Sequence, residues 1–104
     1  MYKYEFTNKI INDINEWVEI PMKLPTRQTV QIVNQGLNND LTSEIIIDVI
    51  LHDRSHGYVP DNSQGGAGIA VKDFFVDDVA SNVGVWVKSS VAGASVTVIE
   101  KSKG

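Results

Sequence analysis

Apolar residues recur at every second position through much of this chain, most densely across residues 43–53, SEIIIDVILHD. The odd positions Ile45, Ile47, Val49 and Leu51 are all aliphatic, whereas the even ones mix Glu44, Asp48 and His52 with Ile46 and Ile50. A period of two carried by β-branched residues predicts a strand. At about 3.3 Å per residue it would span roughly 30 Å, and its apolar odd face needs a second layer, because a lone sheet cannot keep it from water. We take it as the central strand.

Tyr2, Tyr4 and Phe6 alternate with Lys3, Glu5 and Thr7, which predicts a short strand or an extended arm with one aromatic face. Such an arm either closes the protein's own sheet or pairs with a neighbouring subunit. In residues 9–17, Ile10, Ile14 and Trp17 have helical spacing, but Asn12, Asp13 and Asn15 favour turns, so irregular structure or one helical turn is expected. Residues 17–22 alternate again until Pro21 places them at an edge or ends them. Pro25 sets a turn over residues 24–27. Residues 28–34 form a second strand, with Val30 and Ile32 inward and Thr29, Gln31 and Val33 outward. Gly36 and its flanking asparagines turn the chain into the central strand, so the two are sheet neighbours or face each other across the core.

Residues 52–68, HDRSHGYVPDNSQGGAG, have no periodicity and far exceed the roughly 4–6 residues of an ordinary connection. Residues 69–76 predict a strand, with one ring of the Phe74–Phe75 pair on each side. Val83, Val85 and Val87, then Ala94, Val96 and Val98, predict a closing antiparallel hairpin through the turn at residues 89–93. About seven strands and no secure helix define an all-β fold, an antiparallel β-sandwich of jelly-roll or Greek-key type.

The 104 residues fit one domain, residues 1–104, with residues 1–15 as the candidate arm. Without cysteine there is no disulfide framework and no thiolate chemistry. The charge of −4 comes from 9 basic and 13 acidic residues, and the basic ones are scattered, which argues against a nucleic-acid partner. No apolar run is long enough to span a bilayer and no secretion signal is visible, so a soluble chain with no membrane partner is expected.

Chemistry-bearing motifs are sparse. His52 and His56 have a metal-compatible spacing, but one ends a strand and the other lies in the long connection, where nothing orients them. With Tyr58 they form at most a ligand loop. Asp73, Asp77 and Asp78 lack the spacing of a calcium loop, and the glycines at 65, 66 and 68 lack the lysine and helix of a phosphate cradle. No nucleophile elbow or metalloprotease motif occurs. The expectation is a non-enzyme with no catalytic residues, metal or cofactor.

More telling are apolar residues on the side of a strand that should meet water. Ile46 and Ile50 oppose the inward set of the central strand, and Val33, Trp86 and Ile99 do the same on theirs. Either another part of the chain covers them, or they form a subunit interface with the arm residues Tyr2, Tyr4 and Phe6. An alternative places Trp17, Tyr58 and Trp86 in a sugar-stacking platform, as in a carbohydrate-binding module.

The run EWVEIPMKLPTRQTVQIVNQG, then SEIIIDVIL, then VGVWVKSSVAGASVTVIEK, resembles small β-sandwich structural proteins of tailed bacteriophage particles. In these a proline turn leads into a strand ending in Asn-x-Gly, here Asn34-Gln35-Gly36, and the last strands flank a Ser-Ser-x-Ala-Gly turn, here residues 89–93. The likeness spans about residues 16–101; residues 52–68 are longer and more polar than the pattern, and residues 1–15 lie outside it. It implies a virion component, assembled in the host cytoplasm, that decorates the capsid, joins head to tail or builds the tail. Its partners would be other virion proteins and further copies of itself in a homo-oligomer.

Overall fold

The computed structural model describes residues 1–53, 59–80 and 82–103. Among these the alternating segments form eight strands: β1 (Tyr2–Ile11), β2 (Val18–Glu19), β3 (Thr29–Leu37), β4 (Ile47–Asp53), β5 (Ala67–Ile69), β6 (Phe74–Asp78), β7 (Val83–Ser89) and β8 (Ala94–Lys103). Sheet I has the order β1-β8-β3-β6 and sheet II the order β2-β7-β4-β5. Every ladder is antiparallel.

The pairs β1·β8, β2·β7, β3·β6 and β4·β5 are those of one long hairpin, with arms β1–β4 and β5–β8, wrapped into two layers. That is the jelly-roll order. The core lies between the layers. Val30 and Ile32 of β3 and Ala94, Val96 and Val98 of β8 meet Ile47 and Val49 of β4 and Val85 and Val87 of β7, all buried.

Three expectations from the sequence are corrected and a fourth is narrowed. The last two long strands do not form a hairpin: β7 lies in sheet II and β8 in sheet I, so residues 90–93 cross between layers. The crossing is held from both sides, since Ser89 O accepts from Asn15 N at 2.7 Å, Ile11 O from Gly93 N at 2.9 Å, and Gly93 O from Asn38 N at 2.7 Å. Residues 69–76 are not one strand either. Lys72 takes a left-handed φ of 72°, Asp73 N donates to Ala70 O at 2.9 Å, and the chain changes sheet there, ending β5 at Ile69 and starting β6 at Phe74. Of the two readings of residues 9–17, irregular structure holds for 12–17 and there is no helical turn; β1 continues through Ile11 because its ladder with β8 runs that far, and Ile14 makes only an isolated bridge to Ser89. The central strand begins at Ile47, not at residue 43, because residues 43–46 have no ladder partner.

β3 and β4 face each other across the core, and the link between them depends on one glycine. Gly36 has φ +80°, and a Cβ there would sit 2.1 Å from Asp40 O. A side chain at this position collides with backbone as well as straining it.

Two polar clasps seal the ends of the sandwich. At one end Asn34 of β3, fully buried, donates from Nδ2 to Ile45 O and Ile69 O, both at 2.8 Å, and accepts from Gly36 N at 2.9 Å. At the other end Glu100 of β8 accepts from Lys23 N at 3.0 Å and Leu24 N at 2.8 Å, and its Oε1 lies 3.8 Å from Arg27 Nη1. Arg27 is also buried and spends its other donors on the carbonyls of Val79, Ala80 and Val83. The guanidinium thus ties the residue 23–27 turn to the link before β7. Removing one member of such a pair leaves a buried charge and orphaned N–H groups. Glu100→Ala is expected to lower unfolding stability by about 3–5 kcal/mol, read as an earlier midpoint in urea with unchanged slope; a loss below about 1 kcal/mol, the scale of a surface pair, would refute the role given to it.

Candidate functional site

The two sheets differ in how their outer sides meet water. On sheet I the registers align three rows across all four strands: Tyr4–Lys101–Thr29–Asp78, Phe6–Ile99–Gln31–Val76 and Asn8–Thr97–Val33–Phe74. These residues share the outer face because Val30, Ile32, Val96 and Val98, one position along, are buried. Phe6 is 60% and Phe74 55% exposed. Tyr2, Tyr4, Ile10 and Val76 are also exposed, while Val33 and Ile99 between them are half-buried. The result is an apolar band across a sheet that no part of the described chain covers.

Polar links brace this face. Gln35 Nε2 donates to Thr97 Oγ1 at 3.2 Å, and Thr97 donates in turn to Asn8 Oδ1 at 2.8 Å, which joins β3, β8 and β1. Lys101 Nζ lies 4.3 Å from the centre of the Tyr2 ring, a cation–π contact at one corner.

Sheet II is partly roofed. Its outer row is Glu19–Trp86–Ile50, with Trp86 and Ile50 half-buried and direct cross-strand partners. Beside them Trp17 is only 5% exposed. Its Nε1 donates to Asp61 O at 3.0 Å and its backbone N to Asn62 Oδ1 at 3.1 Å. Lys88 lies 4.5 Å from the centre of the indole and donates to Asn62 O at 2.9 Å and Gln64 O at 2.8 Å. The second half of the long connection is therefore pinned on this face. A sugar-stacking platform loses Trp17, whose ring is already occupied.

Asp61 shapes the pinned turn. Its carboxylate accepts from Ser63 N at 2.8 Å and Ser63 Oγ at 2.7 Å. These two bonds, the backbone one first, hold its pKa below the ordinary carboxylate value, and the charge of Lys88 adds to the effect.

No protein-family model and no curated protein matches this chain. Its site is read from geometry alone. Ile46 is half exposed and lines an open recess of about 360 Å³ with Leu41, Ser43, Glu44, Ile45, Ala70, Val71 and Lys72. His52 is half-buried on β4 opposite Gly84; His56 and Tyr58 lie outside the described residues. Among the described residues, no three His, Asp or Glu side chains converge as a metal site requires.

The structure thus brings Tyr2, Tyr4, Phe6, Val33 and Ile99 together on sheet I. It places Ile50 and Trp86 on sheet II and Ile46 in the recess. Sequence reasoning missed Phe74, Val76 and Ile10 as members of the sheet I band. The adjacent phenylalanines did signal one outward ring, but the sheet to which that ring belonged was hidden by the change of layer at Lys72.

The pinned turn makes a prediction that Trp17 itself reports. In a Trp86→Phe background, Lys88→Ala should red-shift Trp17 emission and increase its quenching by acrylamide; unchanged emission would show that Lys88 does not hold the turn. Because the folded-state pKa of Asp61 is depressed, its contribution is present above the unfolded value and lost as pH falls through the depressed one. Trp17 emission should therefore hold constant down to about pH 4, the unfolded carboxylate value, and change only in more acidic solution.

Proposed function

We propose that this chain is a non-enzymatic structural subunit of a tailed-phage virion, a capsid-decoration, head-tail or tail component, working through contacts with other virion proteins and with copies of itself. The single observation that carries the proposal is the uncovered apolar band on sheet I. Strands of 10, 10, 9 and 5 residues, at about 3.4 Å per residue and about 4.8 Å apart, give a face of roughly 550 Å² in plan, somewhat below the ~800 Å² each partner contributes to a stable complex. Burying one of its phenylalanines contributes about 1.5–3 kcal/mol, whereas an apolar band left in water invites nonspecific association. The strand-and-turn likeness to virion sandwich proteins supports the same reading, and such proteins act by assembly in many copies.

Phe6 and Phe74 sit on opposite edge strands of the band, are exposed and lie outside the core cluster, so they can be changed without opening the sandwich. Phe6→Asp/Phe74→Asp should keep the wild-type melting temperature within a few degrees and lower incorporation into density-banded phage particles by at least about tenfold, a difference of ~1.4 kcal/mol. Equal incorporation of the variant, or absence of the wild-type chain from particles, would overturn the proposal.

A further inference from the structure

A sandwich has four edge strands, and three of these edges are short: β2 has 2 residues, β5 has 3 and β6 has 5. Short edges are a common defence against strand-to-strand association. The fourth, β1, has 10 residues with an unbroken register to β8, and it carries no proline or bulge. It is about twice the usual strand length, and among the described residues no strand lies beside its outer margin.

The hydrogen-bonding direction of that margin is fixed. Lys101 O accepts from Gln28 N at 2.9 Å, so odd residues of β8 bond toward β3 and even ones toward β1. Through the register, odd residues of β1 then bond to β8, as Ile11 O does with Gly93 N at 2.9 Å. The even residues Tyr4, Phe6, Asn8 and Ile10 point N–H and C=O outward. Among the described residues, Phe6 O accepts there from the exposed Lys23 Nζ, at 3.1 Å.

The charges of β1 select among the ways it can pair with itself. A two-fold axis at Phe6 sets Lys3 against Lys9 of the second copy, and an axis at Glu5 sets two Glu5 carboxylates together; both juxtapose like charges. An axis at Tyr4 pairs Lys3 with Glu5 but uses only the first seven residues, numbers 1–7. An axis at Thr7 pairs Glu5 of each copy with Lys9 of the other, Phe6 with Asn8 and Tyr4 with Ile10, over residues 3–11. This register has the longest ladder with opposite charges opposed. It keeps the tyrosine, phenylalanine and isoleucine on the sheet I face, and it exchanges the lone Lys23 bond for a ladder bond from Asn8.

We propose that two copies of this chain join β1 to β1, antiparallel about a two-fold axis at Thr7, so that their two four-stranded sheets become one eight-stranded sheet. The dimer names the second copy as a partner and so rests on the assembly reading above, but it uses the backbone margin of β1 and not the outer face. It would double the length of the apolar band and align the bands of both copies on one surface.

Thr7 would then face its own counterpart in a non-hydrogen-bonded pair, with Cα atoms about 4.5 Å apart, within disulfide range. The chain has no cysteine, so one introduced thiol reports without background. Thr7→Cys is expected to oxidise to a covalent dimer, and Lys9→Cys, placed about 13 Å from its counterpart by four residues of offset, is not. In sedimentation equilibrium Glu5→Lys should weaken dimerisation by at least about tenfold, and Glu5→Lys/Lys9→Glu should restore most of it, because opposed charges return. A wild-type chain that stays monomeric at all concentrations, failure of Thr7→Cys to cross-link, or preferential cross-linking of Tyr4→Cys would overturn the dimer. Particle incorporation of Glu5→Lys separates the two proposals. Wild-type incorporation by a chain shown to be monomeric overturns the edge dimer while the assembly reading stands.

Discussion

Everything in this protein depends on the dry contact between two valine-rich sheet faces. Val30, Ile32, Val96 and Val98 from one layer press on Ile47, Val49, Val85 and Val87 from the other. Strand-length segments of a chain this size have few alternatives for hiding such faces. The contact also dictates where polarity is allowed. At the two ends of the core the backbone must enter and leave, and there Asn34 and the Arg27–Glu100 pair supply hydrogen bonds that valine cannot. Each clasp joins an element of sheet I to chain outside that sheet, so they fix how the layers align where hydrophobic burial alone would let them slide.

The same contact explains what was legible in the sequence. Alternation announced strands, and it correctly announced which side of β3, β4, β7 and β8 faces inward, because burial follows a period of two whatever the neighbour. It could not say which sheet a strand joins. Two strands with matching inward valines look identical whether they lie side by side or face each other, and so β7 and β8 resembled a hairpin. The deciding information sits in bonds from residues 90–93 to Ile11 and Asn38, far away in the chain. Lys72 is a similar case: nothing about a lysine between Val71 and Asp73 advertises a left-handed φ. Trp17 offered no sign of its burial either, because its cover comes from Lys88 and residues 61–64, none of them apolar.

The outer sides carry the functional contrast. Sheet II hides its indole under a polar turn, while sheet I keeps Phe6 and Phe74 in water at opposite margins. The chain covers part of one face with its own residues 61–64 and leaves the apolar residues of the other in water, the contrast on which the proposed assembly rests. Both surfaces proposed for assembly belong to the same sheet, one its flat side and one its rim, and neither includes the residues of the inner core.

The wrapped-hairpin order has a kinetic consequence. β1 has one neighbour in the fold, β8, and their register joins Tyr2 to Lys103. On the ribosome β1 must wait until β8 has emerged, and loop closure over such a span is slow compared with local contacts. Through that interval its whole margin on both sides is open to other nascent chains. Until β8 is available β1 lacks the one strand it pairs with in this fold, the circumstance in which terminal strands can exchange between molecules.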